Sequence, residues 1–195
     1  AELANSGYNV PHTVKASAFY HFNWGTNKLF TTTVGLIYQG QSGSPYSLVY
    51  SGDINGDNGT SNDLIFIPTD AQVDQMQFLG TDAYTAEQQR ANLKQWLATT
   101  RYVKDHRGEY FERYGDNLPF ESHFDFHLGQ KFGIRTGKYV HALELTLDIM
   151  NVANLLNKDW GRTFSSGYNS EFVSPITYKG DGVFQFANPS DMPLK

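Results

Sequence analysis

Four stretches of this chain alternate apolar and polar residues with a period of two. That is the pattern of a strand, whose side chains point to opposite faces in turn. The first stretch spans 12–24, with Val14, Ala16, Ala18, Tyr20, Phe22 and Trp24 on one face. Thr13, Lys15, Ser17, Phe19, His21 and Asn23 share the other face, where Phe19 is the one misfit. Phe30, Thr32, Val34, Leu36 and Tyr38 form the apolar face of a second strand at 29–39. Gly25-Thr26-Asn27-Lys28 lies between the two, and four turn-forming residues there predict a hairpin. The third strand spans 123–134. Phe124, Phe126, Leu128, Phe132 and Ile134 share one face, with Gln130 as the exception, and His123, Asp125, His127, Gly129 and Lys131 share the other. A short turn, Arg135 to Tyr139, leads to the fourth strand at 141–150. There Leu143, Leu145, Leu147 and Ile149 oppose Ala142, Glu144, Thr146 and Asp148. Alternation then gives way to a run with three asparagines, Trp160 and Gly161, the composition of a structured loop.

Two long excursions interrupt these strands. Residues 40–120 are too many for an ordinary connection. They open on the turn-rich Gly40-Gln41-Ser42-Gly43-Ser44-Pro45-Tyr46 and pass through the acidic loop Asp53 to Gly59. Leu64-Ile65-Phe66-Ile67 is a short apolar strand or wedge closed by Pro68. Thr85 to Thr99 reads as a helix, with Thr85 and Gln88 as a capping box and Leu93, Trp96 and Leu97 as a narrow apolar stripe. The second excursion, 151–195, holds candidate short strands around Phe172-Val173 and Val183 to Phe186.

The order is therefore hairpin, long loop, hairpin, long loop. Short turns at one end and long loops at the other characterise outer-membrane barrels. Strands of about 9–12 residues suit a tilted crossing of the bilayer. The expected fold class is all-β: part of an antiparallel transmembrane β-barrel with long extracellular loops, one containing a short helix, and the whole chain 1–195 a single fragment of it. Trp24, Phe22 and Phe30 suit an aromatic girdle near the short turn, and Tyr38 suits the opposite girdle. Lys15, His21, Glu144 and Asp148 would face the lumen.

Composition narrows this only slightly. The 195 residues carry a net charge of -5, which argues against nucleic acid as a partner. There is no cysteine, so no disulfide framework, Cys-based metal site or Cys nucleophile is available. No run of about 18 apolar residues exists, so no membrane helix is expected, but barrel strands escape that test. The chain begins Ala-Glu-Leu without Met, and no signal peptide is visible.

Four blocks carry a resemblance. "LDIMNVANLLNKDWG" from Leu147 resembles the near-C-terminal signature of TonB-dependent outer-membrane receptors, in the Bacteroidetes-type branch related to SusC/RagA and Oar-like proteins. "NVPHTVKASAFY" from Asn9, "GQSGSPYSLVYSGDINGDNGTSNDLIFIP" from Gly40 and "RGEYFERYGDNLPFESHFDFHLGQKF" from Arg107 fit in the same order. The family usually has Trp after the Pro where this chain has Phe120. Family members draw a bound nutrient through a barrel of about 22 strands, whose plug is moved by TonB at the expense of the proton gradient. The resemblance implies an internal piece of such a receptor, in the outer membrane of a Gram-negative bacterium, contributing wall strands and ligand-facing loops and no enzymatic activity. Its implied partners are membrane lipid, the TonB complex through a plug domain, an oligosaccharide, peptide or chelate as nutrient, and a surface lipoprotein.

Several constellations are candidate sites. On the loops, Tyr46, Arg107, Tyr110, Arg113 and Trp160 are ligand-contact candidates. Arg107 and Arg113, with Glu109 and Glu112, also read as a salt-bridged solvated loop. Asp53, Asn55, Asp57 and Asp63 could hold calcium, since oxygens at alternate positions suit a hard cation. Leu64 stands where an EF-hand has Glu, and the same loop also reads as Asx turns. His123, Asp125 and His127 share a strand face at a spacing compatible with zinc, with His106 or His141 as unsupported extra ligands. The same alternation makes all three plain lumen-facing polar residues. Two other classes therefore stand beside the transporter: a soluble extracellular β-rich module binding calcium and carbohydrate, and a zinc hydrolase.

Overall fold

The alternating runs form strands with ends within about two residues of those expected, the usual uncertainty of a strand boundary. The structure is a computed structural model and describes residues 3–165 and 171–186. The tail of the second excursion, 187–195, lies outside the described residues. In chain order the elements are β1 (Thr13–Trp24), β2 (Phe30–Gln41), β3 (Pro45–Ser51), α1 (Asp70–Gln75), β4 (Gln77–Phe78), α2 (Ala86–Thr99), α3 (Arg101–Asp105), β5 (Asp116–Asn117), β6 (Glu121–Thr136), β7 (Tyr139–Ile149), α4 (Ala153–Leu156), β8 (Phe172–Tyr178) and β9 (Val183–Phe186). They divide into two compact units. One comprises Pro11–Ser42 and Phe120–Thr163, the other Ala1–Val10, Gly43–Pro119 and Phe164–Lys195.

The first unit is a four-stranded sheet in the order β1-β2-β6-β7, antiparallel throughout. Its register puts the four apolar faces on one side. Tyr20 pairs with Val34, Val34 with Leu128, and Leu128 with Leu147. A slip of one residue would turn a whole strand over, so the apolar pattern itself specifies the pairing. The two short connections lie at one end of the sheet. Gly137, at φ 62, supplies the positive φ that opens the two-residue turn between β6 and β7. Both long excursions leave from the other end. Among the described residues of this unit, only Gly35, Gly40, Gly129, Gly133, Glu121 and Ala153 are buried. Both faces are thus largely open, whereas a self-sufficient domain covers at least one with a second layer.

The two exceptions to the alternation have local explanations. On the apolar side, Trp24 Nε1 donates to Thr32 Oγ1 at 3.0 Å, and Thr32 Oγ1 donates to Gln130 Oε1 at 2.6 Å. Gln130 Nε2 in turn donates to the carbonyl of Lys131 at 3.0 Å, so the amide is not left unpartnered there. On the polar side the Phe19 ring lies over Gly35, where a Cβ would clash with it. An aromatic laid across a strand glycine covers backbone that no side chain protects.

The second unit corrects the expectation of a loop at 40–120. That segment, with 171–186, builds its own core around Leu48, Ile65, Leu93, Trp96, Phe111 and Phe186. Its sheet runs β4-β9-β8-β3-β5 and is mixed, with β3 parallel to β8 and β4 parallel to β9. The expected strands near Phe172 and Val183 are β8 and β9. The expected helix is α2: Gln88 N donates to Thr85 Oγ1 at 3.2 Å, and Thr85 N donates to Gln88 Oε1 at 2.9 Å. Leu93, Trp96 and Leu97 are buried as the stripe required. Two further helices, α1 and α3, join it where one was expected. Buried Gln89 fastens α2 to its surroundings, donating to the carbonyl of Leu79 at 2.8 Å and accepting from the amide of Phe186 at 2.9 Å. The described residues are mostly β with few helices, and no sheet among them closes into a barrel.

Candidate functional site

Of the five ligand-contact candidates, the structure brings Tyr110 and Arg113 together. They line a groove of about 460 Å³ with Leu64, Glu112 and the lead-in residues Leu3 to Asn5. Tyr110 is 68% exposed and meets Phe66 edge to face at 5.2 Å. The isolated bridge between Phe66 and Tyr110 holds this stretch against the apolar run 64–67. The Arg113 guanidinium lies 5.3 Å over the Tyr114 ring. An exposed phenol beside a cation can stack on a sugar or apolar ring and attract an anionic group. Sequence reasoning missed the lead-in residues here, because nothing local ties 3–5 to 110–113.

Arg107 has a structural task. Its Nε donates to the Pro68 carbonyl at 2.7 Å, and its Nη2 donates to Asp70 Oδ1 at 2.5 Å, which braces the start of α1. Tyr46 is a core residue, 2% exposed, so it is not a surface contact. Its hydroxyl donates to Asp116 Oδ2 at 3.1 Å, and Asp116 also pairs with Arg101 at 2.7 Å. Burial first, and the charge of Asp116 second, push the Tyr46 phenol far above the usual tyrosine range. The unfolded chain ionises this phenol near pH 10, before the folded one does. The stability it contributes is therefore fully present below about pH 10 and is lost as pH rises beyond that. Tyr46→Phe is expected to flatten the alkaline limb of a stability-against-pH curve above pH 10. An unchanged slope would show that another group governs it.

Trp160 belongs to the sheet unit, in the loop after β7. Each asparagine there does a separate job. Asn151, at φ 53, donates from Nδ2 to the Gly161 carbonyl at 2.9 Å, and its amide donates to Asp125 Oδ1 at 2.7 Å. Asn154 Nδ2 donates to the carbonyls of Lys158 and Trp160 at 3.1 and 3.0 Å. Asn157 Oδ1 accepts from the amide of Asp159 at 2.9 Å. Gly161, at φ 64, packs so closely on Asn151 that a Cβ would collide with it.

The acidic loop is built from Asx turns. Asp53 Oδ1 accepts from the amide of Gly56 at 2.7 Å, and Asp53 Oδ2 from that of Asn58 at 2.9 Å. Asn55 Nδ2 donates to Asp63 Oδ1 at 2.5 Å. The amide of Gly59 first, and that of Asn55 second, hold the Asp57 carboxyl below the usual carboxylate range. The oxygens proposed for calcium are thus occupied by N–H donors, with which a cation would compete. On the sheet, His127 Nδ1 lies 2.6 Å from Asp148 Oδ1, and His123 Nε2 lies 3.9 Å from Glu121 Oε2. Asp125 is engaged by Asn151, and His106 stacks on Tyr102 at 4.0 Å. Among the described residues no three or more His, Cys, Asp or Glu side chains form a group that could hold a metal ion. The cross-strand partner Asp148 carries no local signal, because register decides it.

Compared with family models, curated proteins and solved structures, this chain gives no match.

Proposed function

We propose that this chain is a stretch of barrel wall with extracellular, ligand-facing segments from a TonB-dependent outer-membrane receptor for nutrient uptake. The observation that carries the reading is the apolar side of the four-stranded sheet. Its rows continue across every strand and stay open to the surroundings, and aromatic residues stand at both ends. At the short-turn end Trp24 stacks on Phe30 at 4.9 Å, and Phe30 meets Phe132 at 6.1 Å. At the other end Tyr38 lies against Phe124 at 4.8 Å. Phe30 and Tyr38 are about 27 Å apart along β2, at roughly 3.4 Å per residue. A tilt of about 40° brings that to about 20 Å, the scale of the apolar band of outer-membrane barrels.

The edge strands β1 and β7 would pair with further wall strands, since an open edge is not tolerated in lipid. A plug domain and TonB would supply the energy of transport. The nutrient is an oligosaccharide, peptide or chelate, met by loops such as that carrying Tyr110 and Arg113, and a surface lipoprotein could cover them. The decisive experiment is fractionation of the full-length gene product. Recovery in the outer membrane with heat-modifiable migration on a gel supports the reading. A product soluble without detergent overturns it in favour of the soluble module.

This reading needs no ion in the Asp53 loop. Calorimetric titration is expected to show no saturable calcium binding below about 1 mM, the weak end of extracellular calcium modules. Saturable binding in that range, lost in Asp53→Ala, would restore Asp53, Asn55, Asp57 and Asp63 as a metal site.

A further inference from the structure

The loop after β7 presents an apolar surface of its own. Met150, Leu155, Leu156 and Trp160 are 72, 74, 81 and 52% exposed. Exposed loops are usually polar, yet this one also projects large apolar side chains, while several of its backbone groups are hydrogen-bonded. Val152 N donates to the Phe124 carbonyl at 2.7 Å, and Asn154 N to that of Asn151 at 3.0 Å. Asn157 N and Trp160 N donate to the carbonyls of Ala153 and Asn157 at 3.1 and 3.0 Å. The side chain of Asn154 takes up two more carbonyls, those of Lys158 and Trp160. Part of the backbone is thus paired while four large apolar side chains project.

Charge and position add a second argument. Arg162 is paired with Asp159 at 3.1 Å, which leaves Lys158 as the charge of the loop without an ion pair among the described residues, in a chain of net charge -5. The loop continues directly from Ile149, the last residue of the apolar row of β7, which pairs with Phe126. That pair lies beside the Tyr38–Phe124 aromatic pair at the long-excursion end of the sheet.

We infer that residues 150–160 are an interfacial anchor, seated in the headgroup–acyl boundary of a bilayer at the long-excursion end of the sheet. The inference rests on the reading that the apolar rows of the sheet face lipid. Leucine, methionine and tryptophan side chains suit that boundary, and a lysine can extend to anionic headgroups. Backbone entering an apolar layer must find its partners in the protein, and the amides of Val152, Asn154, Leu155, Asn157 and Trp160 have theirs. Trp160 is then a lipid contact rather than a nutrient contact.

These residues contain no cysteine, so single cysteines can carry a fluorescent label in full-length protein otherwise freed of cysteine. The protein is reconstituted in phosphatidylethanolamine–phosphatidylglycerol vesicles and quenched by nitroxides fixed either at the headgroup or deep in the acyl chains. A label at Leu156→Cys is expected to be quenched about twofold more by the headgroup nitroxide than by the deep one. A label at Leu145→Cys should show the reverse order, and one at Thr146→Cys should respond to neither. An unquenched Leu156→Cys label beside a deeply quenched Leu145→Cys label overturns the anchor and leaves the sheet reading intact. An unquenched Leu145→Cys label overturns the sheet reading and the anchor with it. Trp160→Phe provides a check without labels, and should remove a bromolipid-quenched share of the tryptophan emission. An unchanged share counts against the anchor.

Discussion

Leu147→Arg is expected to lower clearly the urea concentration at which the full-length gene product loses its folded, heat-modifiable form, while Thr146→Arg leaves it at the wild-type level. The two residues are neighbours on β7 and point to opposite sides of the sheet. Leu147 pairs with Leu128, which pairs with Val34, so it sits in the middle of the apolar rows. An arginine facing lipid near the bilayer midplane costs about 2–4 kcal/mol. That cost lowers the folded-to-unfolded ratio by roughly 30- to 700-fold, because each 1.4 kcal/mol is a factor of ten. Thr146 pairs with Gly129, where an added side chain finds no bulky partner across the strand. In the proposed barrel a polar side chain there would face water in the lumen. Band-shift gels of the two variants decide the matter. If both variants behave alike, the sidedness assigned to this sheet is incorrect, and lipid contact goes with it.

Trp96→Ala acts on the other unit. Trp96 is buried and lies 5.7 Å from the Phe186 ring, in a core shared with Leu93, Leu97 and Phe111. Truncating a buried tryptophan costs about 3–5 kcal/mol through lost burial and the cavity left behind. Typical domain stability is about 5–15 kcal/mol, so the loss is a large part of the total. Limited proteolysis in urea should place cleavage between Gly43 and Pro119 at clearly lower denaturant than in the wild type. Gln95→Ala, on the exposed side of the same helix, should shift it by less than about 0.5 kcal/mol. Heat-modifiable migration should survive Trp96→Ala, because the sheet draws no residue from this core. A drop in the urea midpoint of that migration as large as in Leu147→Arg would show that the two units do not fold independently.

The contrast between the units explains what could be read in advance. In the four-stranded sheet each strand has one apolar and one polar side, so period two is visible within a dozen residues. β3 follows the opposite rule. Pro45 to Tyr50 are all buried, on both sides of the strand, and a strand covered on both faces loses its alternation. Its parallel partner β8 comes more than 100 residues later, and no local pattern signals such a pairing. The helix α2 was legible because a capping box and an apolar stripe are local features. α1 carries the same signature in Thr69 and Gln72, and its capping box was there to be found.

The candidate residues divide along the same line. A tyrosine in a turn-rich stretch reads as exposed, and only packing against Phe111 and Asp116 removes Tyr46 from the surface. Tyr110 and Arg113 kept their exposure, and the fold brought Leu3 to Asn5 beside them.

By itself, then, the sequence determined the four alternating strands, their lengths, the sides on which their apolar residues fall and the capped helix α2. All of these rest on interactions within a few residues or on the fixed geometry of an extended chain. Only the tertiary structure decided that the long excursion has a core, that Asp148 meets His127, and which exposed residues share a surface. Those outcomes depend on register and on contacts between distant segments, where closing the chain over many residues must be offset by burial that no local pattern records.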